Sequence, residues 1–121
     1  SGHSVVMDGA PDQGGRNMGA RPMEMILLGL GGCASFDVMT MLQKGRQQVS
    51  DCRVEISAQR VDVVPAVFSS IHLEFVLSGS NLKESQVKRA VELSAEKYCS
   101  ASIMLEAAGV EISHSYRIEA P

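Results

Sequence analysis

The chain has 121 residues, a formal net charge of −3 and a hydrophobic content of 45%. This composition indicates one globular domain with one core, and it is too apolar for a disordered chain. Nucleic-acid-binding faces need clustered Lys and Arg side chains or aromatic rings that stack on bases. The sequence has no basic block and an aromatic content of 4%, so we expect no nucleic-acid partner.

The longest apolar run extends from Met25 to Phe36 and is closed by Asp37. It is shorter than the roughly 20 apolar residues that a membrane-spanning helix needs. A buried core helix is therefore favoured, and we expect no membrane partner. No secretory signal is recognisable, which favours a cytoplasmic location. The first residue is Ser1 rather than Met, which allows for further residues before it.

The sequence contains three cysteines, Cys33, Cys52 and Cys99. An odd number without a CxxC pair matches neither a secreted disulfide scaffold nor the ligand spacing of a structural zinc site. We therefore expect no metal and no cofactor, and instead one or more functional thiols.

The first half of the chain predicts a loop followed by a long helix. Residues 4–8 resemble a short strand, and the Gly-rich residues 9–21 predict a loop. Pro22 suits a first helical position, apolar residues follow at helical spacing, and Gly45 is a typical end, so the helix should cover Pro22 to Lys44. Because this helix is apolar almost all round, we expect it to be buried at the centre of the protein.

The second half predicts a hairpin, two helices and a last strand. Alternation over residues 51–59 and 71–77 indicates two antiparallel strands with one wet face, with a bulge near Gln59 and Arg60. Asn81 and Glu84 stand at capping-box spacing before a helix that ends near Cys99. A short helix capped by Gly109 and a strand over residues 110–118 complete an α+β domain.

Cys33 and Cys99 are the candidate reactive thiols. Gly31 and Gly32 remove side chains beside Cys33, which would admit a ligand or bend the helix; tight helix packing explains the same glycines equally well. Cys99 lies where a second helix begins, and the positive end of a helix favours a thiolate. For both cysteines the alternative is a small buried hydrophobic residue.

The remaining candidates are better explained as structural. Cys52 opens a strand on its apolar face, which favours a core position. His114 shares the apolar face of the last strand, where a histidine is more often satisfied by hydrogen bonds than catalytic. His72 alternates with apolar residues and is expected on the solvent face.

Two segments together resemble the OsmC/Ohr family of osmotically inducible and organic-hydroperoxide-resistance proteins. They are RPMEMILLGLGGCASFDVM, which contains Cys33, and AEKYCSAS, which contains Cys99. The resemblance covers the chain from about residue 2, and it implies one domain over residues 1–121. It also implies an OsmC-like α+β fold, in which an antiparallel sheet surrounds a buried central helix and two chains form an intertwined homodimer.

The resemblance implies a chemistry as well as a fold. Family members reduce organic hydroperoxides with two cysteines, which would make Cys33 the peroxidatic residue and Cys99 the resolving residue. The thiolate would become a sulfenic acid and then a Cys33–Cys99 disulfide, which an external dithiol reductant would reopen. The implied partners are thus a second copy of the chain, a small organic hydroperoxide and that reductant.

The activating residues of the family peroxidases are not matched. A Glu directly follows the helix-opening Pro in those enzymes, whereas Met23 stands there and Glu24 lies one position later, about 100° further round a helix. Glu24 is therefore the candidate for this role. The family Arg aligns with Val6 when Asp8 and the following glycine are matched, which leaves Arg16 and Arg21 in the loop as candidate substitutes.

Three interpretations follow. The first is a thiol-dependent peroxidase or related dithiol reductase. The second is a non-catalytic dimeric protein that binds a small apolar or electrophilic ligand, which the loss of the Arg and Glu positions favours. The third is a structural homodimer whose cysteines only fill the core.

Overall fold

The computed structural model describes all residues from Ser1 to Pro121. The predicted α+β fold is confirmed. In chain order the elements are a short 3-10 turn Pro11–Gln13, helix α1 Pro22–Lys44, strand β1 Gln48–Arg60, strand β2 Phe68–Ser80, helix α2 Glu84–Leu93, a π-helical segment Ser94–Tyr98, helix α3 Ser100–Ala107 and strand β3 Glu111–Glu119.

The predicted strand at residues 4–8 is absent, and only an isolated bridge joins Met7 to Ala20. The carboxylate of Asp8 explains the difference, because it accepts hydrogen bonds from the backbone N–H groups of Gly9, Arg16 and Met18. These bonds fold the segment into a loop in place of a strand.

The three strands form one sheet in the order β1-β2-β3. β1 and β2 form the predicted antiparallel hairpin, and the predicted bulge is confirmed by a register shift between Gln59 and Arg60. β3 pairs parallel to β2, so the expectation of an antiparallel sheet is wrong for the third strand. Both helices α2 and α3 lie between β2 and β3 along the chain. Such a helical crossover lets β3 run in the same direction as β2.

The predicted capping box before α2 is wrong. The helix begins at Glu84 after Lys83, with no side-chain cap, and Asn81 has a left-handed backbone with a φ of 54°. Asn tolerates this conformation in turns. The side chain of Gln47 instead accepts the N–H of Lys83 at 2.9 Å.

The core lies between the inner face of the sheet and one face each of α1 and α2. Cys99 belongs to it and is fully buried. The other main contributors are Leu30, Ala34, Val38 and Leu42 of α1, Ile71, Leu73, Phe75 and Leu77 of β2, and Val87, Ala90 and Val91 of α2.

Within one chain, α1 is buried on one side only. Leu28 is 58% exposed and Phe36 is 75% exposed, and a Cβ added at Gly29 or Gly32 would meet nothing within 4 Å. By length and composition alone, α1 is apolar enough to cross a membrane, a test that core helices of soluble proteins also pass. The expected burial all round the helix therefore needs a partner surface.

The outer face of the sheet is polar, as the alternation predicted. His72 lies there between the hydroxyl groups of Ser113 and Ser115, at 2.7 and 2.8 Å. Arg53 and Arg117 form ion pairs with neighbouring glutamates on the same face. The sheet thus separates a charged surface from the side that carries the cysteines.

Candidate active site

The structure brings Cys33 and Cys99 together. The two sulfur atoms and a carboxylate oxygen of Asp37 all lie within 4.8 Å of one another. Cys33 is half-buried on α1, Cys99 is buried, and both are free thiols. Because the two residues are 66 positions apart in the chain, their proximity depends on the packing of α1 against the helices that follow β2.

Cys99 is held firmly at the junction between the π-helical segment and α3. It is the N-cap residue of α3, and its sulfur accepts the backbone N–H of Ser102 at 3.4 Å. Its own N–H donates to the carbonyl of Ser94 at 2.8 Å, and its carbonyl accepts the N–H of Ile103 at 3.0 Å. The sulfur is therefore fixed in direction by backbone bonds on both sides.

Burial raises the pKa of the Cys99 thiol to about 11. The N–H of Ser102 lowers this pKa, whereas Cys33 and the negative charge of Asp37 raise it further. The predicted position of Cys99 at a helix start is thus correct, but the expectation that this position yields a thiolate is wrong. Desolvation outweighs the helix terminus because the sulfur is withdrawn from water, so Cys99 is protonated at neutral pH.

Asp37 is the residue at this site that sequence reasoning missed. It follows Cys33 by four positions on α1, a spacing that puts two side chains on the same face of a helix. Its carboxylate lies 3.5 Å from the hydroxyl of Ser94, which also donates to the carbonyl of Ala34. The Cys-x-x-x-Asp spacing is the available signal, although in the sequence Asp37 stands out only as the residue that closes the apolar run.

Glu24 lies in the first turn of α1, where its carboxylate accepts the N–H of Arg21 at 2.8 Å. Nine residues of helical rise place it roughly 13 Å from Cys33 along the helix axis. Glu24 also borders a shallow apolar cavity together with Leu28 and Ile56. Within one chain, therefore, the structure does not bring Glu24 to the two sulfurs.

Neither candidate arginine of the loop forms an ion pair in the structure, since every ion pair involves Arg53 or Arg117. The backbone of Arg16 is held by Asp8, whose pKa is lowered by the N–H groups of Arg16, Met18 and Gly9, in that order. Asp8 therefore organises the loop through hydrogen bonds to its backbone.

The two glycines before Cys33 have different environments. A Cβ at Gly31 would lie 2.7 Å from Cδ1 of Ile56 on β1, whereas a Cβ at Gly32 would meet nothing within 4 Å. Gly31 therefore fits the tight-packing interpretation, because it lets the helix approach the strand. Gly32 leaves open space beside Cys33 for a ligand or a partner.

Cys52 and His114 lie where the sequence predicted. Cys52 is half-buried on the inner face of β1, and burial, followed by the charge of Asp51, raises its pKa. His114 is half-buried in β3 and borders a cavity with Ile103 and Glu106 of α3. Neither residue belongs to the group formed by Cys33, Asp37 and Cys99.

Comparison with known proteins agrees with this fold. The family model described as OsmC-like protein matches residues 14–115. The chain is 48% identical over 123 aligned positions to Protein YhfA of Escherichia coli K12, covering 99% of this chain and 86% of that protein.

Solved structures show the same fold. A hypothetical protein from Aquifex aeolicus is 30% identical with a TM-score of 0.80, over 88% of this chain and 79% of that one. An organic hydroperoxide resistance protein OsmC from Legionella pneumophila is 12% identical with a TM-score of 0.66, over 93% and 80% of the two chains. The family match and the identity to YhfA, taken with the fold, show that this chain belongs to the OsmC-like family.

Proposed function

We propose that this protein reduces small organic hydroperoxides with the Cys33–Cys99 pair. The observation that carries the proposal is that the two sulfurs lie within 4.8 Å of each other. Cys33 is half-buried, so a substrate can reach its sulfur. Cys99 is buried and lies close enough to form a disulfide with the oxidised Cys33.

The reaction is balanced with two thiols. The Cys33 thiolate attacks the terminal oxygen of the hydroperoxide, the O–O bond breaks, and the alkoxide takes a proton to leave as an alcohol. Cys33 is thereby oxidised to a sulfenic acid. The Cys99 thiol then displaces the hydroxyl group as water and forms the disulfide. An external dithiol reduces the disulfide by exchange and is itself oxidised.

Disulfide formation needs modest movement. A disulfide bond is about 2 Å long, so the sulfurs, which lie within 4.8 Å, must approach further. The backbone bonds around Cys99 hold its sulfur in place, whereas Cys33 lies in a helix beside the open position of Gly32. The movement is therefore expected at the Cys33 side chain.

The proposal includes a homodimer formed through the open side of α1. Leu28 and Phe36 expose a large apolar area on this side, and a second copy of the helix would cover it. Arg16 and Arg21 of the loop are the candidates for supplying the missing cation in that dimer. Glu24 would serve at that interface as the acidic residue of the pair.

The proposal also predicts weak activation within one chain. Asp37 places a negative charge beside the sulfurs, and this charge adds to the effect of burial in raising the pKa of Cys99. A nearby cation is a main route to a reactive thiolate. Turnover should therefore be slow unless dimerisation supplies an arginine.

The proposed compartment is the cytoplasm, because its reducing conditions would keep both thiols available.

The test measures consumption of cumene hydroperoxide and tert-butyl hydroperoxide by the reduced protein, with a dithiol as reductant. Cys33→Ser should abolish turnover, and Cys52→Ser is the matched control that should retain it. Without the dithiol, Cys99→Ser should consume one equivalent of hydroperoxide and leave a sulfenic acid on Cys33 that dimedone traps. Turnover that survives Cys33→Ser would refute the proposal.

A binding function is the second candidate, favoured by the apolar cavity beside the first turns of α1. Ala20, Leu27, Leu28, Val54 and Ile56 border it together with Glu24. Such a site suits a small apolar ligand held without turnover. Thermal stabilisation by a medium-chain alcohol that persists in Cys33→Ser, without hydroperoxide consumption by the unmodified protein, would favour this function over the first.

A further inference from the structure

We propose that Cys33, Asp37 and Cys99 form a binding site for a thiophilic divalent cation, with Zn²⁺ as the representative ion. This inference does not rest on hydroperoxide reduction, although it uses the same two sulfurs. It departs from the sequence-based expectation of no metal, which rested on spacing along the chain.

The donor atoms have the arrangement that a metal site needs. Two sulfurs and one carboxylate oxygen lie within 4.8 Å of one another, and they come from two elements, α1 and the start of α3. Thiolate and carboxylate are both zinc ligands, and three protein ligands with an open fourth position are typical of accessible zinc sites. The set is discontinuous in sequence, which is why spacing did not reveal it.

The charges favour a cation. Metal coordination requires deprotonated thiols, so the three ligands would together carry three negative charges. These charges would lie close together, because the two sulfurs and the carboxylate oxygen are all within 4.8 Å of one another. A divalent ion bound between them would compensate this negative charge.

Neighbouring groups support the ligands in the required orientation. The N–H of Ser102 points to the sulfur of Cys99 at 3.4 Å, and the hydroxyl of Ser94 lies 3.5 Å from the carboxylate of Asp37. Hydrogen bonds of this kind fix the direction of metal ligands and are important for affinity. Ser94 and Ser102 are both buried, so this support is preformed.

Access to the site is from one side. Cys99 is buried, whereas Cys33 and Asp37 are half-buried, so an ion would enter past α1. Coordination would occupy the sulfur that attacks a hydroperoxide, and formation of the Cys33–Cys99 disulfide would remove two of the three ligands. Metal binding and thiol oxidation would therefore exclude each other, with no change in the oxidation state of the ion.

The experiment titrates the reduced full-length protein with Co²⁺ and then displaces Co²⁺ with Zn²⁺ in competition with a chromophoric chelator. We expect one ion per chain, sulfur-to-cobalt charge-transfer absorption, and proton release on binding. Asp37→Asn should weaken binding by at least about tenfold, because altering groups that only support metal ligands already has an effect of this size. Cys33→Ser should remove most of the charge-transfer intensity, and Cys52→Ser should change neither affinity nor spectrum.

Folding of each variant is checked by circular dichroism. If a Cys99 variant does not fold, Cys33→Ser and Asp37→Asn are sufficient to test the metal site. Binding that is unchanged in both variants, or charge-transfer intensity that is lost in Cys52→Ser, would overturn the inference. Hydroperoxide reduction is measured separately after chelation. Metal binding without peroxide turnover would therefore contradict only the proposed function, and turnover without metal binding would contradict only this inference.

Discussion

The carboxylate of Asp37 lies within 4.8 Å of the Cys99 sulfur, and its negative charge raises the pKa of that thiol. A peroxidase site would be expected to place a cation beside its sulfurs, so this contact is unusual for the proposed activity. It makes Asp37 the residue whose replacement is most informative.

Asp37→Asn should lower the pKa of Cys99, because it removes a negative charge and keeps the shape of the side chain. Burial remains the larger cause, so the pKa should stay above its ordinary value. The measurement is the pH dependence of thiolate absorbance in the ultraviolet. Asp51→Asn is the matched control, since Asp51 acts on Cys52. An unchanged Cys99 titration in Asp37→Asn would contradict the assigned role of this carboxylate.

The raised pKa of Cys99 also predicts how stability depends on pH. Folding changes this pKa from 9.0 to about 11, so the folded protein holds the proton more tightly than the unfolded chain. The stabilisation is complete below pH 9 and is lost as the pH rises through about 11. We expect the free energy of unfolding in urea, with reductant present, to fall by roughly 2 kcal/mol over this interval.

The control for this prediction is Cys99→Ala. Other groups titrate in the same interval, so the test is the difference between the two pH profiles. Cys99→Ala should lose stability less steeply than the unmodified protein, whereas Cys52→Ala should retain the part of the slope that belongs to Cys99. Parallel profiles for the unmodified protein and Cys99→Ala would show that the folded and unfolded chains hold this proton equally.

Local patterns were sufficient to predict most of the fold. The bounds Pro22 and Lys44 of α1 follow from a proline, a periodic apolar face and a glycine, and the bulge beside Gln59 follows from a change in alternation. The direction of β3 was not predictable from its own residues, because it depends on the crossover that precedes it. Asn81 shows the limit of a cap motif, since the turn after β2 needs this residue for its backbone conformation.

The candidate site was predictable only in part, because it also depends on residues that are distant in the sequence. Cys33 and Cys99 were recognisable from the segments that contain them, but Asp37 gains its significance only when α3 places Cys99 beside it. The net effect on the Cys99 thiol was also hidden, because a helix terminus and burial act in opposite directions. The sequence showed the terminus and gave no measure of the burial.

Because Gly31 lies close to Ile56, we expect substitutions at these two positions to have coupled effects on stability. Gly31→Ala improves helix propensity by about 1 kcal/mol, but its Cβ would lie 2.7 Å from Cδ1 of Ile56. Ile56→Val removes that atom and alone should destabilise the protein by about 1 kcal/mol. In the Gly31→Ala background the same change should cost less, with a coupling of about 0.5 kcal/mol or more.

Urea unfolding of the four proteins in this cycle measures the coupling. Gly29→Ala combined with Ile56→Val is the control, because a Cβ at Gly29 meets nothing within 4 Å, and the two changes should add. Additive effects for Gly31→Ala and Ile56→Val would indicate that α1 shifts away from the strand and relieves the contact.

The open side of α1 gives the last prediction, which tests the proposed homodimer. Phe36 is 75% exposed in one chain, so Phe36→Asp should leave an isolated chain folded but should separate two chains that meet there, because a buried unpaired carboxylate is strongly unfavourable. Gly32→Ala should raise stability by about 1 kcal/mol if the helix is free on this side, and should lower it if a second helix packs against Gly32. Sedimentation velocity over a range of concentrations, with urea unfolding, measures both effects. A monomer that gains stability from Gly32→Ala and sediments identically after Phe36→Asp would exclude this face as the dimer contact.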